Sequence, residues 1–227
     1  MTDGLLPNEA TADTIRVDRE LPKEARTWGR IVDLTALEAG DLLLFRPVDP
    51  ASDSISSSIM RAQIKGGLPS RHAQWTHAAV YLGDDEHICE ANFKVPGAAN
   101  GVIIRSAFAY CDGTHAIRAR RPRNMQAKQR LRIAIGALTN LGRGYGFMQI
   151  VEFAKAASGD RGFWNALGRG PRAPAQSFVC STLYQDAYNF AFQGNTVRMG
   201  SLCTPAHLSA SSDFEEDEPR LRWLGIV

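Results

Sequence analysis

Cysteine is scarce in this chain of 227 residues, which holds only four: Cys89, Cys111, Cys180 and Cys203. No two of them form a CxxC pair, and no cysteine–histidine group has the spacing of zinc ligands. So few cysteines in a chain of this length do not make a disulfide scaffold. We therefore expect no metal and no cofactor, and one reactive thiol among structural ones.

Long apolar runs are also missing. No run approaches the ~20 residues that a membrane-spanning helix needs. The segment Met1–Glu20 lacks the basic start and apolar centre of a secretory signal. We expect synthesis in the cytoplasm, so that any export would need a specialised secretion route rather than a cleaved signal peptide.

The chain has little excess charge, with a formal net charge of +2. No basic stretch is interleaved with stacking aromatics, so we expect no nucleic-acid partner. Four arginines do cluster, at Arg118, Arg120, Arg121 and Arg123. Such a cluster is typical of a solvated strand end and helix face. The alternative is a phosphate-rich partner, such as an anionic lipid surface.

Hydrophobic residues make up 44% of the chain and charged residues 22%, as in ordinary globular proteins. Residues 1–27 are polar and predict an N-terminal arm, and residues 28–227 predict a single domain. Short apolar runs predict strands over residues 42–45, 76–82, 87–91, 101–105 and 116–120. Helical spacing predicts helices over residues 54–65, with Asp53 or Ser54 as N-cap, over 126–141 and 147–157, and over 184–192 as the continuation of residues 177–183, with a short turn over 163–167. Thr204 and Pro205 predict a further helix start. A strand-rich middle flanked by helices indicates an α+β fold.

Cys180 is the first candidate for chemistry. A thiol is a nucleophile only as the thiolate, and a helix N-terminus or a nearby imidazolium favours that form. Cys180 falls in the first turn of a predicted helix with Ser177 as a plausible N-cap. The alternative is a buried cysteine that packs as a small hydrophobe.

His77 and Glu90 are the candidate partners of that thiol. They lie thirteen positions apart on two predicted strands joined by a turn at residues 83–86. A carboxylate on the adjacent strand can orient an imidazole, which is the third role in a catalytic triad. Whether the two side chains share a face depends on strand register. His77 alone is more typical of a hydrogen-bonded core histidine, and His72 is a competing base.

The order of these motifs resembles a known family. The segments Gly40–Leu42, Trp75–Asp84, Ile88–Ala91, Phe178–Leu183 and Thr204–Leu208 are similar to the circularly permuted branch of the NlpC-type papain-like cysteine peptidases, the YiiX-like group. In that group the histidine strand precedes the cysteine helix. The resemblance covers roughly residues 39–210. It implies a permuted papain-like fold in which a central antiparallel sheet packs against the nucleophile helix.

The resemblance also implies roles for individual residues. Cys180 would be the nucleophile, with its backbone N–H in the oxyanion hole, His77 the general base and then acid, and Glu90 the orienting residue. Tyr145 resembles the aromatic that precedes the nucleophile in the family, and it is assigned to the substrate pocket together with Trp75. Buried aromatics such as Trp75 and Tyr110 are also typical of a core.

The implied reaction is acyl transfer through a thioester. The substrate class that the resemblance favours is the peptide amides of peptidoglycan stems. Because no signal peptide is apparent, one hypothesis is that the protein is a toxin-like effector, with a secretion apparatus or an immunity protein as partner. A lipid acyl hydrolase or acyltransferase of the lecithin–retinol acyltransferase-like type is the alternative, and the arginine cluster would suit anionic head groups. A catalytically silent binding module is the third hypothesis.

Overall fold

The computed structural model describes residues 4–92, 101–145, 177–192 and 203–227. Its strands, numbered in chain order, are β1 (Thr11–Ile15), β2 (Arg30–Val32), β3 (Leu42–Pro47), β4 (His77–Tyr81), β5 (His87–Asn92), β6 (Gly101–Ser106), β7 (His115–Arg120), β8 (Gly144–Tyr145), β9 (Ser177–Phe178) and β10 (Trp223–Ile226). Its α-helices are α1 (Lys23–Trp28), α2 (Ser54–Lys65), α3 (Ser70–Ala73), α4 (Ala127–Leu138), α5 (Cys180–Ala191) and α6 (Pro205–Ala210). The predicted helix over 147–157 and the turn over 163–167 lie outside the described residues.

A five-stranded antiparallel sheet forms the centre of the fold, with the strand order β6-β5-β4-β3-β7. Its core strand β3 is buried on both faces, since successive side chains point to opposite sides. Leu42 and Leu44 join a cluster with helices α4 and α5, whereas Leu43 and Phe45 join a cluster on the other face. Double burial explains why β3 is a continuous apolar run rather than an alternating one. The expected α+β class, with helices packed against an antiparallel sheet, is confirmed.

Local capping signals place two helices where the sequence predicts them. Helix α2 begins after Asp53, whose carboxylate accepts hydrogen bonds from the N–H groups of Ile55 (3.1 Å) and Ser56 (3.2 Å). Helix α6 begins after Thr204, whose hydroxyl accepts from the N–H of His207 at 3.3 Å. Helix α4 ends at Leu138, three residues before the predicted end. In the described ranges, no helix is both long and apolar enough to cross a bilayer.

The polar segment at the start of the chain packs onto the rest of the molecule. Leu5 exchanges two backbone hydrogen bonds with Ile117 of β7 (2.7 and 3.1 Å), and its side chain is buried. Strand β1 pairs in parallel with β10, which also pairs with β2 in a three-stranded sheet. Sheet pairing and the buried Leu5 and Leu21 therefore hold the described part of the predicted arm, residues 4–27, to the rest of the molecule, which the polar composition did not indicate.

The arginine cluster is not a solvated surface, contrary to the sequence-based interpretation. Arg118 and Arg120 are only 5% and 7% exposed. Arg118 contacts the Glu218 carboxylate, with Nε 2.9 Å from Oε2, and Arg120 donates to the backbone oxygen of Ser209 at 2.6 Å. Arg121 binds the buried Asp41 through two hydrogen bonds of 3.1 and 2.7 Å. The C-terminal segment therefore covers Arg118 and Arg120, whereas Arg121 is engaged by residues that precede β3.

Candidate active site

Cys180 is the first residue of the twelve-residue helix α5, as the sequence predicts for a nucleophile at a helix N-terminus. The preceding residue, Val179, is extended, and the hydroxyl of Thr182 accepts a hydrogen bond from its N–H at 3.1 Å. The predicted cap at Ser177 is wrong, because Ser177 belongs to strand β9 and the helix starts three residues later. The first N–H groups of a helix have no intrahelical acceptor, so they face whatever lies before Cys180.

Two short strands bring the start of α5 to the end of the main sheet. Strand β9 leads into Cys180 and pairs in parallel with β8. The segment before β8 is bound to β6, because the N–H of Val102 donates to the oxygen of Arg143 at 2.9 Å. Gly101 makes this approach feasible, since a Cβ at that position would overlap the Arg143 carbonyl oxygen. The cysteine-bearing segment therefore lies beside the end of β6 that pairs with Asn92 of β5.

His77 and Glu90 meet on one face of the sheet. In the β4–β5 hairpin, Val80 pairs with Cys89 and Tyr81 pairs with Ile88. This register puts residues 77, 79 and 81 of β4 on the same face as residues 88, 90 and 92 of β5. Nε2 of His77 lies 2.6 Å from Oε2 of Glu90. The register that the sequence left open is therefore the one that joins the two proposed triad members.

The Glu90 carboxylate is held by three further side chains. Tyr110 donates to Oε2 at 2.6 Å, Asn92 donates to Oε1 at 3.1 Å, and Nη1 of Arg105 lies 3.8 Å from Oε1. Glu90 is completely buried. Burial acts to raise the pKa of Glu90, but attraction to His77 and the hydrogen bonds outweigh it and lower that pKa to about 2. The carboxyl group is thus ionised at neutral pH.

His77 lies between this carboxylate and the Cys180 thiol. Burial acts to lower the pKa of His77, but the charge of Cys180 and of Glu90 and its hydrogen bonds to both raise it to about 10. Nε2 faces Glu90, so Nδ1 is the ring nitrogen left to face the thiol. The arrangement favours an imidazolium beside the sulfur.

Two other histidine–carboxylate pairs occur in the described residues, and they differ from this one. His87 pairs with Asp84 at 2.6 Å, and His115 pairs with Asp112 at 2.8 Å. In each pair the two residues are three positions apart in one turn. Both carboxylates are partly exposed, and each also accepts hydrogen bonds from backbone N–H groups of its own turn. Among these pairs, that of His77 has the completely buried carboxylate, and Cys180 contributes to raising the pKa of its histidine.

The other three cysteines are unsuited to nucleophilic chemistry. Burial raises the pKa of Cys89 and of Cys111 to about 12, and it raises the pKa of Cys203 still further. Such thiols stay protonated near neutral pH. The prediction of structural thiols at these three positions agrees with their surroundings.

The two predicted pocket residues have different outcomes. Trp75 is fully buried in the cluster beneath helix α5, with the Arg46 guanidinium 5.5 Å from its ring centroid, so it does not line an open surface. The backbone of Tyr145 pairs with Phe178, two residues before the nucleophile, while its side chain lies outside the described part. The competing base His72 is buried beside Ser209, with Nδ1 2.9 Å from the hydroxyl.

Sequence reasoning missed the residues around Glu90. Asn92 could have been found, because it lies two positions after Glu90 and therefore on the same face of β5. Tyr110 carried no local signal, since its hydroxyl reaches Glu90 from a 3₁₀ turn, Ala107–Tyr110, twenty residues away. Comparison of the chain with protein-family models, with curated proteins and with solved structures gave no match.

Proposed function

We propose that this chain is a cysteine hydrolase that cleaves amide bonds through a thioester intermediate, on a circularly permuted papain-like arrangement. One observation carries the proposal: His77 interacts with the thiol at a helix N-terminus, and its Nε2 lies 2.6 Å from a completely buried carboxylate. A histidine placed between a nucleophile and an orienting acid is the common logic of such sites on unrelated folds. A nucleophile, a histidine and an acid in this arrangement indicate such a site more specifically than any one of the three residues does alone.

The proposed reaction has two halves. The Cys180 thiolate attacks the carbonyl carbon of the substrate, and the N–H groups at the start of α5 stabilise the oxyanion. The C–N bond then breaks while His77 passes its proton to the departing amine, which leaves a thioester on Cys180. Neutral His77 next takes a proton from water, and the hydroxide adds to the thioester. The C–S bond then breaks, which releases the carboxylic acid and regenerates the Cys180 thiolate. Glu90 stays ionised throughout and holds the ring.

The substrate class of the proposal is the stem peptides of peptidoglycan, and its support is the resemblance of the motifs to NlpC-type peptidases. The lipid alternative drew on an exposed arginine cluster, but Arg118 and Arg120 are buried and bound to Glu218 and to backbone oxygens. No observation therefore favours lipid over peptide. Delivery as an effector, with a secretion apparatus or an immunity protein as partner, is an extension of the same proposal.

The test is mass analysis of fragments released from purified peptidoglycan by the wild-type protein, by Cys180→Ala and by His77→Ala. We expect new amine and carboxyl ends with the wild type, and a loss of ~10⁴-fold in rate for each variant. His87→Ala is the matched control, because His87 also pairs with a carboxylate on the same hairpin, 2.6 Å away, but far from the thiol. It should retain the wild-type rate.

Two further arms separate the hypotheses. Phospholipid vesicles incubated in parallel would yield free fatty acid if the substrate were lipid. An iodoacetamide derivative should label Cys180 before the other three cysteines, whereas a silent binding module would show no such preference. Full activity in both Cys180→Ala and His77→Ala would overturn the proposal.

A further inference from the structure

The hydroxyl of Tyr110 converges on the same carboxylate oxygen as His77. Both Oη of Tyr110 and Nε2 of His77 lie 2.6 Å from Oε2 of Glu90. The other oxygen, Oε1, accepts from Asn92 and lies near Arg105. Each oxygen of the carboxylate therefore has its own donors, so a quarter-turn of the group would break the bonds on both sides.

The Tyr110 ring is itself held on several sides. It stacks on Phe45 with ring centroids 3.9 Å apart and planes at 20°, and the Arg105 guanidinium lies 5.2 Å from its centroid. His115 meets its edge at 5.4 Å. The ring also lies nearly parallel to His77, at 5.8 Å. Packing thus fixes where the hydroxyl points without help from the Glu90 bond.

The terminal torsion of a glutamate is broad and nearly two-fold, so packing of the stem alone does not set where the oxygens lie. A carboxylate that turned would offer His77 a poorly aligned acceptor, and the imidazole would follow it away from Cys180. We propose that Tyr110 is a positioning residue that acts through Glu90, with Asn92 as its partner on the other oxygen. This inference rests on the proposed function for its catalytic consequence, but its structural part is testable without any substrate.

The test is Tyr110→Phe, which keeps the stacked ring and removes only the hydroxyl. In the wild type, the ¹³C resonance of the Glu90 carboxyl, assigned with Glu90→Gln, should show no protonation step between about pH 3 and pH 7. Losing a donor raises the pKa of a buried carboxyl, so a step should enter this window in the variant. On peptidoglycan peptides, we expect kcat to fall roughly 10-fold with KM unchanged.

Tyr81→Phe is the control. Tyr81 lies on the same face of the sheet, is also buried, and its hydroxyl accepts a hydrogen bond from the N–H of Asp85 at 2.9 Å, at the far end of the hairpin. It should change neither the Glu90 titration nor kcat. An unmoved Glu90 titration in Tyr110→Phe would overturn the inference, even if kcat fell. If the wild type cleaved no amide, the proposed function would fail, while the titration would still decide the role of Tyr110.

Discussion

At the scale of single residues, His77 and Glu90 stabilise each other's charged forms. A buried carboxylate without a counter-charge costs several kcal/mol, and here His77 supplies the charge. The pKa of His77 is raised from 6.5 to about 10, so its contribution to stability is complete below pH 6.5 and is lost as the pH rises to about 10. The pKa of Glu90 is lowered from 4.5 to about 2, so its contribution is complete above pH 4.5 and is lost as the pH falls to about 2.

The mutual dependence of the pair gives a prediction for Glu90→Gln. Without the carboxylate, the pKa of His77 should fall by roughly one to three units, because the imidazolium loses its nearest opposite charge. The Cε1–H resonance of His77, followed through a pH titration by NMR and assigned with His77→Asn, measures this. Glu86→Gln, which removes a carboxylate paired with Arg19 at the turn of the same hairpin, should leave the His77 titration unchanged. Equal His77 midpoints in the wild type and Glu90→Gln would contradict the pairing.

At the scale of elements, a close backbone approach between Gly101 and Arg143 helps to set where helix α5 begins relative to the sheet. The nucleophile comes from a helix on one face of the sheet, whereas His77 and Glu90 lie with the cluster on the other face. The nucleophile and the His77–Glu90 pair meet only at the end of β4, where His77 is the first residue of the strand. Strands β8 and β9 bring Cys180 there, through the contact between Gly101 and Arg143.

Gly101→Ala tests this placement. Gly101 has φ 142°, and a Cβ there would also overlap the Arg143 oxygen, so β8 and β9 must shift. We expect the free energy of unfolding to fall by about 1–3 kcal/mol. We also expect kcat to fall by up to ~10²-fold, because a displacement of ~1 Å misaligns the thiol and the imidazole. Chemical denaturation and peptidoglycan turnover measure the two effects.

The matched control is Gly142→Ala, in the same segment. Gly142 also has a positive φ, of 76°, but nothing lies within 4 Å of an added Cβ. It should lose stability from backbone strain while kcat stays near the wild-type value. If both variants lost kcat equally, strain in the segment rather than the close approach would be responsible.

At the scale of the whole molecule, the C-terminal segment is held on the central sheet by charge. Glu218 is the carboxylate that meets both Arg118 and Arg120, and these arginines are nearly inaccessible to water. The Arg120 guanidinium also lies 4.9 Å from the centroid of Phe214. Burying two guanidinium groups is tolerable only while their partner remains. Glu218 and these two arginines, which are far apart in sequence, therefore form one unit.

Glu218→Gln should accordingly destabilise the fold by roughly 3–5 kcal/mol, since it leaves two buried cations without a carboxylate. Urea unfolding at neutral pH measures the change. Glu216→Gln is the control: its side chain is 90% exposed and pairs only loosely with Arg123, at 3.3 Å, so no measurable change is expected. Equal unfolding midpoints for the two variants would show that the contacts of Glu218 with Arg118 and Arg120 do not hold the C-terminal segment in place.

Local signals in the sequence were enough to indicate the α+β class, a start of α2 at Asp53 or Ser54, the start of α6 at Thr204 and the position of Cys180 in a first helical turn. Each of these depends on neighbours within a few residues, through capping or periodicity. They also put His77 and Glu90 on the two strands of one hairpin, which made the pair a candidate.

Only the tertiary structure decided the rest. A register shifted by one residue would have put Glu90 on the opposite face from His77, and alternation along a strand does not reveal which register forms. The contacts of Tyr110, the burial of the arginine cluster and the pairing of the first strand with the last join residues 20 to 212 positions apart. Such contacts depend on how whole elements pack, so no short stretch of sequence encodes them.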